Sequence, residues 1–141
     1  MNCIGIVAIN SVRCPDHGDI PLEMAAMMIN RHEILKSGFW KIRAPLAFGD
    51  LEPHQRNAIY YALTNSGTQW LYQEELPTVQ EALAQVVEVM TTSGVDIVIT
   101  KGTAQQNRIK NSFENRGNFV EVVDAKHWGQ HVYISLFFNL D

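Results

Sequence analysis

Cysteine is nearly absent from this chain, with only Cys3 and Cys14 present. A disulfide framework is therefore excluded as the main source of stability. None is needed, because 141 residues, 46% of them hydrophobic, are enough to build a core of their own. Long apolar runs are missing as well. The longest uninterrupted one, Met24 to Ile29, falls far short of the ~20 residues of a helical bilayer span. Basic residues are few: eleven Lys and Arg against fifteen Asp and Glu give a net charge of -4. That balance argues against a general nucleic-acid binder in the absence of a concentrated basic patch. No internal repeat, low-complexity tract or linker interrupts the sequence, which predicts one α/β domain over residues 1–141. Met1-Asn2-Cys3 has neither the basic start nor the apolar stretch of a secretory signal. The expectation is a cytoplasmic protein with two reduced thiols. Cys14-Pro15-Asp16-His17 sets a cysteine and a histidine at metal-sharing distance. No second such pair completes the four ligands of a structural zinc site, and no metal is expected.

The apolar pattern that is present reads as follows. Cys3 to Ile9 is a short β-branched run, expected to be a strand covered on both faces. Asn10 to Gly18 reads as a loop. Asp19 then suits a helix cap, with Pro21 and Glu23 in the first turn. Met24, Met27, Met28, Ile34 and Leu35 follow at helical spacing, and Ser37-Gly38 ends the helix. Phe39 to Arg43 reads as a second strand. Residues 53–73 leave two readings open. One is a helix opened by Pro53 and stopped by Gly67, the other a hairpin around Asn65-Ser66-Gly67; the helix is preferred because both of its signals agree. Thr68 to Tyr72 is a strand in either case. Thr78-Val79-Gln80-Glu81 is a capping box opening a helix through Val79, Ala82, Leu83, Val86, Val87 and Met90. Val95 to Thr100 reads as a buried parallel strand. Thr103 caps a helix running to Arg116, and Gly117 stops it. Asn118 to Asp124 and His131 to Phe138 are two alternating strands, forming a closing antiparallel hairpin.

From Thr78 on, this order resembles the C-terminal half of the GNAT N-acetyltransferase superfamily. The likeness is most specific at the end of the third helix, where an aromatic, an acid, two residues, a glycine and a phenylalanine lead into a strand. Here these are Phe113, Glu114, Asn115-Arg116, Gly117 and Phe119, with Asn118 inserted. The resemblance implies a single-domain, three-layer mixed sheet with helices on both faces. It also implies a splay between two parallel strands that takes acyl-CoA, here Thr68 to Tyr72 and Val95 to Thr100. Thr78, Thr100, Lys101, Arg108 and Phe113 are the residues it would set against a coenzyme, the basic ones toward its phosphates. The segment Asn30-Arg31-His32-Glu33-Ile34-Leu35 is further similar to small proteins of short-tailed bacteriophages. These include an internal virion protein carrying this scaffold with a decayed cofactor loop, so host cytoplasm or virion is implied as the location.

The sequence departs from the family where the chemistry sits. The phosphate loop position reads Gln73-Glu74-Glu75-Leu76-Pro77-Thr78. It has no glycine, Pro77 lacks an amide donor, and two acids stand where a diphosphate would lie. Phe113 occupies the place of the family's frequent tyrosine acid and has no proton to give. The sequence therefore favours a non-catalytic interaction or virion-associated protein, without cofactor, using a protein partner and with room for homo-oligomers. Trp40, Trp70, Trp128 and Tyr133 are its candidate contact residues. The alternative is an active acyl-CoA-dependent N-acyltransferase with acetyl-CoA as cosubstrate and Glu52, His54 or Glu74 as base. A third reading, a phosphate- or nucleotide-binding α/β domain, rests on Lys101-Gly102-Thr103 before a helix.

Overall fold

A period-two burial pattern organises the first part of the chain. In the computed structural model, which describes residues 3–127, strand β1 spans Ile4–Cys14 and strand β2 spans Gly18–Ile29. Along β2, Ile20, Leu22, Met24, Ala26 and Met28 are buried, and the residues between them are mostly half-buried. This is the signature of a strand with one face fully covered. The link between β1 and β2 turns through Asp16 (φ 72°) and Gly18 (φ 76°), and His17 N–H donates to the Cys14 carbonyl at 3.2 Å. So short a connection joins only antiparallel strands. Strand β3, Ile34–Lys41, follows a turn held by Asn30. The Asn30 side-chain oxygen accepts the N–H groups of His32 and Glu33 at 2.8 and 2.9 Å.

These strands overturn the helix expected from Asp19 to Ser37. Leu22-Glu23-Met24-Ala25-Ala26-Met27-Met28 is rich in strong helix formers, but the same residues also satisfy an alternating pattern. With β1 on one side and β3 on the other, pairing along both edges outweighs the intrinsic preference. The loop expected at Asn10–Gly18 is likewise strand as far as Cys14, and the strand expected at Phe39–Arg43 starts earlier, at Ile34.

The rest of the chain follows its capping and stop signals closely. Helix α1, Pro53–Ser66, resolves the open reading in favour of the helix: Gln55 Oε1 accepts Glu52 N–H at 2.9 Å, and Gly67 closes the helix in the left-handed region at φ 71°. Thr68 to Tyr72 is not a strand. Its backbone is tied at Leu71, whose carbonyl accepts Ala44 N–H at 2.7 Å, and one such bond does not make a ladder. Helix α2, Val79–Thr92, strand β4, Ile97–Thr100, helix α3, Thr103–Glu114, and strand β5, Glu121–Asp124, complete the described elements. Gly102 (φ 96°), not Thr103, stands at the N-cap of α3. Residues 128–138, expected to close the hairpin, lie outside the described residues.

The five strands form one mixed sheet in the order β3-β2-β1-β4-β5. β4 is parallel to both neighbours, pairing Ile4, Gly5 and Ile6 with Ile97, Val98 and Ile99, and its own Ile97 to Thr100 with Glu121 to Asp124. The chain divides into two compact units. Among the described residues, one comprises those up to Ala8, Ala25–Gly38 and those from Leu83 on; its buried residues include Ile4, Val87, Met90, Val98, Ile109 and Phe113. Gly5 packs closely there: a Cβ at that position would lie 2.7 Å from the Met90 sulfur, so the end of the Met90 side chain would have to shift. The other comprises Ile9–Met24 and Phe39–Ala82. Its core gathers Val12, Cys14, Ile20, Leu22, Ala44, Leu51 and Ile59, with Phe48 and Trp70 packed against it. Phe48 and Trp70 meet edge to face at 6.2 Å.

Candidate functional site

The residues expected to meet a coenzyme fall into different surroundings. Thr78 belongs to the second unit, whereas Thr100, Lys101, Arg108 and Phe113 belong to the first. Thr100 ends β4 directly opposite Asp124 in the register and is buried. Its Oγ1 has no hydrogen-bond partner among the described residues. Lys101 is exposed in the turn that follows, and Arg108 is half-buried on α3. Phe113 is 1% exposed and part of the core, so it faces no ligand. It lies near the far end of α3 from Thr100 and Lys101, roughly 15 Å along the helix at 1.5 Å per residue. The pair of neighbouring strands expected at Thr68–Tyr72 and Val95–Thr100 does not form. The first segment is not in the sheet, and β4 is paired on both sides with β1 and β5.

The end of β5 holds a polar group that the sequence reading missed. Asp124 is 1% exposed, and its Oδ1 accepts the amides of Gly102 and Lys126, both at 3.1 Å. Lys126 Nζ stands 3.9 Å from Oδ2. Only its position at the end of an alternating strand marked Asp124 in the sequence, and a terminal acid there is usually solvated.

The start of α2 is built from four chain segments of the second unit. Thr78 and Glu81 form the expected reciprocal box: Thr78 N–H donates to Glu81 Oε1 at 3.1 Å, and Glu81 N–H donates to Thr78 Oγ1 at 3.2 Å. The backbone amide of Thr78, and after it the Thr78 hydroxyl, hold the Glu81 carboxyl below its ordinary value of 4.5, with Arg43 adding a smaller pull. Ahead of the helix the chain turns at Gln73 to Leu76, where Leu76 N–H donates to the Gln73 carbonyl at 3.2 Å. Arg43 fastens that turn. Its Nε donates to the Leu76 carbonyl at 3.0 Å, its Nη2 to the Glu74 carbonyl at 2.7 Å, and its backbone N–H to the Pro77 carbonyl at 2.8 Å. Glu74 and Glu75 are exposed.

Beside this turn lies an open cavity of about 460 Å³. Ile20, Ile42 and Pro45 give it an apolar wall; His17, Arg43, Tyr72 and the first residues of α2 supply its polar groups. The capping box engages Thr78 and Glu81 and leaves the amides of Val79 and Gln80 without an intrahelical acceptor. Asp19 also lines the cavity, 3.9 Å from Arg13. Nothing in the sequence singled out Arg43 or His17 for this place, because the segments that line the cavity are far apart along the chain.

The other candidates occupy plainer positions. Glu52 is exposed at the cap of α1, and His54 Nε2 is 3.1 Å from Asp16 Oδ2 on the surface. Trp40 and Trp70 are half-buried, and Trp70 Nε1 donates to the Leu46 carbonyl at 2.9 Å. Trp128 and Tyr133 lie outside the described residues. Among the described residues the exposed aromatics are Phe39, Tyr60, Tyr61, Tyr72 and Phe119. Cys14 is buried with Sγ 3.4 Å from the Pro15 carbonyl, while His17 is exposed. Among the described residues no three His, Cys, Asp or Glu side chains are grouped to hold a metal ion, and no helix is long and apolar enough to cross a membrane. No protein-family model matches the chain, and no curated protein matches it.

Proposed function

We propose that this chain is a non-catalytic interaction protein on an acetyltransferase-like scaffold, and that it uses no acyl-CoA. One observation carries the reading: the capping box at the start of α2 engages two of the amide donors there, and acids stand around it. The Thr78 hydroxyl accepts Glu81 N–H and the ionised Glu81 carboxylate accepts Thr78 N–H, so two of the donors that a diphosphate would use are taken. Around them, Glu74 and Glu75 repel it. Phe113, in the core, offers neither a proton nor a contact surface.

Isothermal titration with acetyl-CoA tests this. The expected result is no heat of binding at millimolar coenzyme. Micromolar binding would overturn the reading and support the N-acyltransferase alternative in its place.

A further inference from the structure

We propose that the cavity beside Arg43 receives the C-terminal carboxylate of a partner chain that ends in an apolar residue. This rests on the interaction reading above and supplies the chemistry of the partner. The argument starts from charge. Arg43 is half-buried, and the hydrogen bonds of its guanidinium go to the carbonyls of Glu74 and Leu76. Carbonyls are neutral acceptors, so they position the guanidinium and leave its charge intact. No carboxylate among the described residues is within ion-pair distance of it. Nη1 remains, on a planar fork whose geometry suits a carboxylate.

The surroundings then select the kind of anion. Asp19 lines the cavity, and Glu74, Glu75 and Glu81 belong to the turn and helix start next to it. A di- or polyphosphate would bring several negative charges against these acids, whereas a single carboxylate brings one. The cavity also has an apolar side, formed by Ile20, Ile42 and Pro45. A ligand that satisfies both must carry a carboxylate and an apolar group a few ångströms apart. The last residue of a chain does so on a single Cα. Its volume, about 460 Å³, is in the lower range of small-ligand sites, ~300–1,000 Å³, and suits a terminal residue with part of its neighbour.

The test uses the whole chain and the tetrapeptide acetyl-Ser-Ala-Ala-Leu in two forms, free acid and C-terminal amide. Amide resonances of Val79 and Gln80 and the Nε–H of Arg43 are followed by nuclear magnetic resonance. Saturable shifts with the free acid, and binding at least ten-fold weaker for the amide, are expected. Absence of shifts with either peptide overturns the proposal, as do equal effects of the two. Stronger shifts of the same resonances with inorganic phosphate than with the free acid also overturn it, because the site would then be a phosphate site. Arg43→Gln is expected to weaken the free acid at least ten-fold, although it also loosens the Glu74–Leu76 turn. Asp19→Asn, an exposed change at the cavity that leaves the turn untouched, is therefore the second variant. It is expected to tighten the free acid about three-fold, and unchanged or weaker binding would place the carboxylate elsewhere. If acetyl-CoA does not bind and the peptides also fail, the cavity assignment falls and the interaction reading stands. If acetyl-CoA binds, the interaction reading itself falls.

Discussion

Individual residues at the ends of elements carry most of the chemical content here, and two of them make measurable predictions. Glu81 is held ionised by the amide and hydroxyl of Thr78. Its carboxyl titrates lower in the folded chain than in the unfolded one, so the stabilisation it gives is complete above the ordinary value of 4.5 and is lost as pH falls through the lower, folded value. The stability advantage of the wild type over Glu81→Gln should therefore shrink on acidification below that value. Urea unfolding of both proteins across acid pH measures this, and a gap independent of pH would contradict the box. Thr100 is the opposite case. Its hydroxyl is buried with no partner among the described residues, and burying an unbonded hydroxyl costs about 1–3 kcal/mol. Thr100→Val keeps the shape and removes that cost. It should raise the unfolding free energy by about 1 kcal/mol, read from the same titrations; a loss of stability would show that the hydroxyl is used.

At the scale of elements, the contest is between local preference and pairing. α1 and α2 were legible because proline, capping residues and glycine acted at their ends as the sequence suggested. Gly67 at φ 71° and Gly94 at φ 75° both stop helices in a conformation that side-chain-bearing residues avoid. β2 was not legible, since Met24, Met27 and Met28 fit a helical stripe as well as Leu22, Met24, Ala26 and Met28 fit a strand. Removing its neighbours should bring the helix back. A peptide of residues 18–37 is expected to become helical in trifluoroethanol by circular dichroism and to show no strand signal alone in water. A stable strand signal from the isolated peptide would mean that pairing is not what decides β2. Thr68 to Tyr72 failed for a related reason. Its β-rich composition is satisfied by side-chain packing, with Trp70 against Phe48 and its ring nitrogen on Leu46, and no neighbouring strand is needed.

For the molecule as a whole, the expectation of an α/β chain with one mixed sheet holds, and the two thiols are placed by it. Cys3 and Cys14 are both free and buried. Burial is the main cause that pushes each thiol pKa up, with Asp96 near Cys3 and Asp16 near Cys14 adding to it. Since the thiolate is the reactive form, both cysteines should react with Ellman's reagent much more slowly in the folded chain than in urea. A thiol that reacts at neutral pH as fast folded as unfolded would place that cysteine at the surface.

What the sequence determined by itself was local: where helix α2 starts and stops, the preference for a helix between Pro53 and Gly67, the presence of a helix after Gly102, the capping box at Thr78, the buried parallel character of β4, and the acidity of the turn before α2. Each of these depends on groups within a few residues of one another, so their energies are present in any conformation that forms the element. The tertiary structure alone decided that residues 18–29 are a strand, that Phe113 is core, and that Arg43 reaches the carbonyls of Glu74 and Leu76. For Arg43 the partners are 33 and 31 residues distant along the chain, and only closure of the intervening loop brings such groups within hydrogen-bonding range.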